Sequence, residues 1–217
     1  MNLDNLALKY QTDKSSKVHY YTRWYEKYFD NIRDKELKIL EIGVLHGSST
    51  KMWEEYFPNS DIFGLDILDL KHLDTKRLTT IQGSQSDKYF LRKVIDQYGP
   101  FDIIIDDGSH KGSDMRTSFE ELFPLLKNDG YYVIEDLCTN YFQFDEHSSA
   151  HRFTTDLKNL VDSVNGNGKT CYGCKSNAIK NGDDYYPSKG EFTYIEDAIE
   201  FIHFYRGICF IKKWEVV

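Results

Sequence analysis

Nothing in the 217-residue sequence approaches the run of about 20 apolar residues that a bilayer-spanning helix requires. The opening stretch, Met1 to Tyr10, mixes polar and apolar residues and lacks the apolar segment of a secretory signal. A cytoplasmic protein without a membrane partner is therefore expected. Positive charge is also short: 27 Lys and Arg stand against 35 Asp and Glu, for a net charge of −8. Nonspecific nucleic-acid binding depends on Lys and Arg neutralising phosphates, so no nucleic-acid partner is expected. Cysteine is scarce, with four residues, Cys138, Cys171, Cys174 and Cys209. Cys171 and Cys174 form a C-x-x-C pair without a second one, which leaves a tetrahedral zinc site short of ligands unless His147 and His151 complete it. The Gly-x-Gly-x-x-Gly dinucleotide fingerprint is missing, which disfavours a nicotinamide dehydrogenase.

What is present is the composition of a globular protein. Hydrophobic residues make up 40%, which argues against global disorder, and the length suits a single domain over residues 1–217. Aromatics reach 15%, with 16 Tyr, enough for a Tyr-rich core or for an aromatic-lined pocket around a planar ligand. Residues 1–36 read as an N-terminal helical segment. Asp4 is positioned to cap a helix carrying Leu6, Ala7, Leu8 and Tyr10; a polar break follows at 11–16. A second helix runs from about Thr22 to Ile32, with Trp24, Tyr25, Tyr28 and Phe29 on one face.

From Leu37 strands and helices alternate. The pattern predicts strands at 37–42, 61–65, 78–82, 101–105 and 130–134, with helices at 48–56, 87–98 and 117–126. Two further strands, Ile199–Phe204 and Gly207–Lys212, close the sheet. This order implies an α/β fold: a Rossmann-like, doubly wound sheet of seven strands, mostly parallel with a C-terminal antiparallel strand. Residues 137–190 break the pattern. Their turn-rich stretches, Asn165-Gly166-Asn167-Gly168 and Asn181-Gly182-Asp183-Asp184, mark a substrate loop or lid.

Five predicted strand ends carry the chemistry. The first is Glu41-x-Gly43-x-x-x-Gly47, between a strand and a helix. Glycine lets the backbone approach a ligand closely. A Glu just before the turn opposes a pyrophosphate and suits a ligand with an amino or sulfonium charge. Asp66 ends the next strand, where an acid can accept both ribose hydroxyls. Gln85 and Ser86 follow the third strand, within reach of an adenine edge. Further along, Phe101-Asp102-Ile103-Ile104-Ile105-Asp106-Asp107-Gly108-Ser109-His110 and Tyr131-Tyr132-Val133-Ile134-Glu135-Asp136 are apolar strands that end in carboxylates. Three carboxylates, Asp107, Glu135 and Asp136, repel one another at a shared sheet edge unless a cation neutralises them. Oxygen ligands suit a hard ion such as Mg²⁺ or Ca²⁺, and such a site can bind and acidify one hydroxyl of a vicinal diol. His110 is placed to take that hydroxyl's proton.

The stretch from Leu37 to Ile134 resembles the class I S-adenosylmethionine-dependent methyltransferases. Asp106-Asp107-Gly108-Ser109-His110 and Val133-Ile134-Glu135-Asp136-Leu137 resemble, more narrowly, the Mg²⁺-dependent sugar O-methyltransferases of macrolide biosynthesis. Lys9-Tyr10-Gln11-Thr12-Asp13-Lys14, Tyr20-Tyr21-Thr22-Arg23 and Phe201-Ile202-His203-Phe204-Tyr205 extend that resemblance to both ends of the chain. It implies S-adenosylmethionine and Mg²⁺ as cofactors. It also implies Glu41 on the methionine amino group, Ser49 on its carboxylate, Asp66 on the ribose, and Gln85 and Ser86 beside the adenine. Asp106 would lie by the sulfonium, Asp107, Glu135 and Asp136 on the metal, and His110 would act as base. The expected acceptor is a small-molecule sugar, read here as a nucleotide-activated sugar destined for a surface polysaccharide. A natural-product glycoside or a catechol-type phenol is the alternative. Aromatics on the N-terminal helices leave room for a homodimer.

Overall fold

The computed structural model describes residues 2–141, 152–166, 195 and 197–214. The N-terminal helices are α1 (Leu3–Tyr10) and α2 (Thr22–Phe29). The α/β portion follows as β1 (Lys38–Ile42), α3 (Ser48–Tyr56), β2 (Asp61–Asp66), β3 (Leu78–Gln82), α4 (Lys88–Tyr98), β4 (Ile103–Asp106), α5 (Gly112–Leu122) and β5 (Tyr131–Ile134). After α6 (Phe153–Gly166) the chain ends in β6 (Ile199–Tyr205) and β7 (Ile208–Lys213). The sheet has seven strands in the order β3-β2-β1-β4-β5-β7-β6. Neighbours from β3 to β5 are parallel, and β7 runs antiparallel to both β5 and β6. The sheet is thus the mostly parallel, doubly wound one expected from the alternation.

Strand residues alternate between two cores because successive side chains point to opposite faces. Leu40, Ile42, Ile104, Tyr132 and Ile134 pack with residues of α4, α5 and α6. Ile39, Ile62, Ile103, Ile105 and Val133 pack with residues of α1, α2 and α3. Both faces are covered, so the strands read as continuous apolar runs. The chain winds outward one way from β1 and the other way from β4, and these two strands are neighbours. That makes a topological switch point, where ligands bind outside the carboxyl ends of the strands.

Three local expectations change. The cap of α1 is Asn2, whose side chain accepts from Asn5 N. Asp4 instead accepts from Ser16 N at 2.7 Å and Thr22 Oγ1 at 2.8 Å, tying the loop after α1 back onto the helix. Helix α5 begins at Gly112 rather than at Thr117, with Asp114 in its first turn and bonded to Ser109 Oγ at 2.8 Å. Residues expected to turn at Asn165-Gly166 instead finish α6, a 14-residue helix inside the span read as a loop. Leu137–Tyr141 form a 3-10 turn. The remainder of the expected lid, with Cys171 and Cys174 and the turn at Asn181, lies outside the described residues. Cys138 is an exposed free thiol and Cys209 a buried one. Among the described residues no helix is long and apolar enough to cross a membrane.

Candidate active site

Register brings the strand ends level. Ile42 pairs with Asp106, and Asp106 with Ile134, so Gly43, Asp107 and Glu135 leave the sheet side by side. A cavity of about 780 Å³ opens there, lined by Gly43, Ser49, Asp66, Gln85, Ser86, Asp107 and His110, among others. Seven of the residues singled out in the sequence therefore share one cavity.

The turn after β1 depends on glycine. Gly43 has φ +87°, and a Cβ there would lie 2.0 Å from the Asp107 carbonyl oxygen. Only glycine lets these two strand ends approach this closely. Asp66 holds the same turn: its Oδ2 accepts from Val44 N and Leu45 N, each at 2.9 Å. Its Oδ1 accepts from Leu68 N at 2.9 Å. Ser84 and Ser86 pair through their hydroxyls at 2.8 Å on the opposite wall.

Glu41, Asp106 and Glu135 do not line the cavity; each is buried behind it. The Glu41 carboxylate accepts from Ser49 Oγ at 2.9 Å and Trp53 Nε1 at 3.1 Å. Burial pushes its pKa up to about 7, against the opposing pull of Lys14. Asp106 turns to the other face of the sheet. There Gln85 Nε2 donates to it at 3.0 Å, Tyr132 OH at 3.3 Å, and Ser118 Oγ closes the shell. Burial lifts Asp106 to about 6 despite these donors. The Gln85 amide is thereby committed to the protein, since its Oε1 also accepts from Ser109 N at 2.6 Å.

Among the described residues, Asp107, His110 and Asp136 form a group whose candidate ligand atoms all lie within 4.8 Å of one another. His110 Nε2 lies 4.0 Å from Asp107 Oδ1 and 3.8 Å from Asp136 Oδ2, and all three side chains are partly exposed. The Nδ1 of His110 is buried without a hydrogen-bond partner among the described residues. Asp136 Oδ1 accepts from Tyr21 OH at 2.7 Å. Glu135 is outside this group of three but is joined to it through Lys14, which lies between its carboxylate and that of Asp107. Strand alternation sends the Glu135 side chain toward α2, where Tyr25 OH donates to it and Lys14 Nζ sits 2.9 Å away.

Lys14 is the feature that sequence reasoning missed. Its side chain is fully buried, and its ammonium lies 2.6 Å from Asp107 Oδ2 and 3.6 Å from Glu41 Oε1 as well. Burial alone would discharge it, but Asp107, Glu135, Glu41 and Asp13 hold it charged, well above the usual lysine range. Tyr21 and Tyr25 were also missed as partners of the acids. The available signal was the N-terminal resemblance itself, which included Lys14 and Tyr21 without assigning them work.

A doubly wound sheet with a cavity at its switch point and acids on adjacent strand ends defines an α/β fold of the methyltransferase type. The chain is 35% identical over 224 residues to mycinamicin VI 2''-O-methyltransferase of Micromonospora griseorubida, covering 98% of this chain and 52% of the relative. It is 44% identical over 147 residues to 8-demethyl-8-(2-methoxy-alpha-L-rhamnosyl)-tetracenomycin-C 3'-O-methyltransferase of Streptomyces olivaceus, covering 64% of this chain and 38% of that one. Among solved structures, the MycE methyltransferase of the mycinamycin biosynthetic pathway, in complex with Mg and SAH, superposes with a TM-score of 0.83. It is 35% identical, and the match covers 99% of this chain and 55% of that chain. No family model matches the chain. The homologues of this protein are thus sugar O-methyltransferases acting in macrolide and tetracenomycin chemistry, and the chain spans about half the length of the mycinamicin relative.

Proposed function

We propose that this protein is an S-adenosylmethionine- and Mg²⁺-dependent O-methyltransferase that acts on a sugar hydroxyl of a glycoside. The observation that carries the reading is the meeting of Asp107, His110 and Asp136 beside the switch-point cavity. The donor set fits a hard divalent ion: carboxylate oxygens from two strand ends, with room left for water or substrate oxygens. Asp107 and Asp136 would hold the ion, with Glu135 as the third acid of the set. Bound Mg²⁺ supplies a Lewis acid that lowers the pKa of a substrate hydroxyl. S-adenosylmethionine supplies the methyl group. A cofactor in the cavity would meet Gly43, Ser49, Asp66, Gln85 and Ser86 on its walls. Glu41 and Asp106 would support those walls from behind.

His110 takes the acceptor's proton at Nε2, and the carboxylates within 4.0 Å stabilise the imidazolium that forms. A smaller cavity of about 370 Å³ follows Asp136 along the chain. Its lining includes Leu137, Tyr141, Phe204 and Tyr205. This aliphatic and aromatic surface favours a glycoside with an apolar aglycone over the nucleotide-activated sugar expected from sequence, and the relatives' names point the same way.

Transfer of a labelled methyl group to a macrolide glycoside, a nucleotide sugar and a catechol, run side by side, tests the proposal. Transfer to the glycoside is expected, abolished by EDTA and restored by Mg²⁺. Turnover indifferent to EDTA would remove the ion, and transfer to the catechol alone would replace the acceptor class. His110→Ala is expected to lower kcat by about 100-fold or more while leaving S-adenosylhomocysteine affinity nearly unchanged. Equal loss of both would sink the assignment of His110 as base.

A further inference from the structure

We infer that Lys14 is a positioning residue of the proposed metal site: an internal cation that shares the Asp107 and Glu135 carboxylates with a divalent ion and sets how tightly that ion is held. The inference rests on the reading of Asp107, Glu135 and Asp136 as the ion's carboxylates.

The geometry divides the acids into two groups. Glu41, Asp107 and Glu135 come from the ends of three neighbouring strands, β1, β4 and β5, and all three face the Lys14 ammonium at 3.6, 2.6 and 2.9 Å. An ammonium has three donors, and here three carboxylates surround it. Asp136 is held differently, by the neutral hydroxyl of Tyr21 and by His110. Asp107 belongs to both groups, with Oδ2 on Lys14 and Oδ1 toward His110.

Lys14 cannot easily withdraw. Its carbonyl accepts from Thr22 N at 3.2 Å, and its own N–H donates to Thr12 Oγ1 at 3.4 Å, so the loop between α1 and α2 is pinned on both sides. The side chain is fully buried, so solvent does not screen its charge. A fixed positive charge in such a place opposes a divalent cation that draws on the same oxygens. It also neutralises part of the excess of acids that burial would otherwise protonate.

The test uses Mn²⁺ as the probe. Free Mn²⁺ is followed by electron paramagnetic resonance in titrations of the wild type, Lys14→Met and Lys14→Gln, together with thermal unfolding in EDTA and in Mn²⁺. The Met variant keeps the length and apolar stem while removing the charge. Removing a unit charge this close to a buried site is expected to tighten Mn²⁺ binding by about tenfold or more. In parallel, the variant should melt lower than wild type in EDTA and gain more from Mn²⁺. A residue that merely fills space would not tighten the ion when replaced. Wild-type Mn²⁺ binding with equal or weaker binding by both folded variants overturns the inference and leaves the metal site standing. Failure of the wild type and both variants to bind Mn²⁺ overturns both readings. If Lys14→Met folds only when Mn²⁺ is added, the ion is replacing the lost cation, which supports the inference; if Mn²⁺ does not restore the fold, Lys14→Gln carries the comparison.

Discussion

His110 and Asp136 both adopt left-handed backbone conformations, with φ of 59° and 51°. For residues other than glycine such conformations cost about 1–3 kcal/mol each and cluster where function needs a side chain aimed against its local preference. Here they turn two side chains from different strand ends toward each other. His110→Gly is expected to be more stable than His110→Ala by about 1 kcal/mol in urea unfolding, because glycine relieves the backbone. Equal stabilities would show that the conformation stores no strain. Asp4 offers a second test at this scale. Burial would raise its carboxyl, but donors from Ser16 and Thr22 hold it below the usual carboxylate range. A depressed folded-state pKa means stability that is present above the unfolded value of about 3.9 and is lost as pH falls through the folded value. The melting-temperature gap between wild type and Asp4→Asn should therefore be widest near neutral pH and close below about pH 4.

At the scale of elements, the N-terminal helices support the site. Helix α1 buries Leu3, Leu6 and Ala7, and its Leu3 N donates to Glu26 Oε1 of α2 at 2.7 Å. Helix α2 brings Tyr25 to Glu135, and the loop between them brings Lys14 to three strand ends. Leu6→Ala should cost about 2–5 kcal/mol, as for other buried leucines. It should also speed amide exchange in residues 11–21, which hang from α1; unchanged exchange there would separate the helix from the loop. The helices themselves were legible from apolar spacing. The cap was not, since Asn2 and Asp4 are both good capping residues and only packing with Ser16 and Thr22 decides between them. The start of α5 was missed for a related reason: Gly112 and Ser113 are poor helix formers, and tertiary context carries the first turn.

The whole molecule places a cavity of about 780 Å³ where the winding direction reverses, between the ends of β1 and β4. A ligand bound there to the folded state alone stabilises it by mass action. S-adenosylhomocysteine at a hundred times its Kd should add about 2.7 kcal/mol. For a chain of this size that raises Tm by roughly 5–10 °C. No shift at saturating ligand would mean that the cavity is not a cofactor site. The net charge of −8 also belongs to this scale, and one charge of the acids near the site is balanced internally by Lys14.

The sequence by itself determined the sheet, because apolar runs of strand length alternating with helical periods leave few architectures able to bury both faces. It also determined that Gly43, Asp66, Asp107 and His110 would gather at one edge, because parallel strands end together. Only the tertiary structure decided where neighbouring carboxylates point. Asp106 and Asp107 are adjacent in the chain, yet one turns to Ser118 and Tyr132 and the other to Lys14, because successive strand residues face opposite sides. Glu135 and Asp136 part for a different reason: Asp136 lies past the end of β5 in a left-handed conformation, so its side chain turns to Tyr21 and His110 while Glu135 stays with Tyr25 and Lys14. No local pattern marks Lys14 as the partner of Asp107, since that contact joins residues 93 positions apart and exists only once α1 and α2 have packed on the sheet.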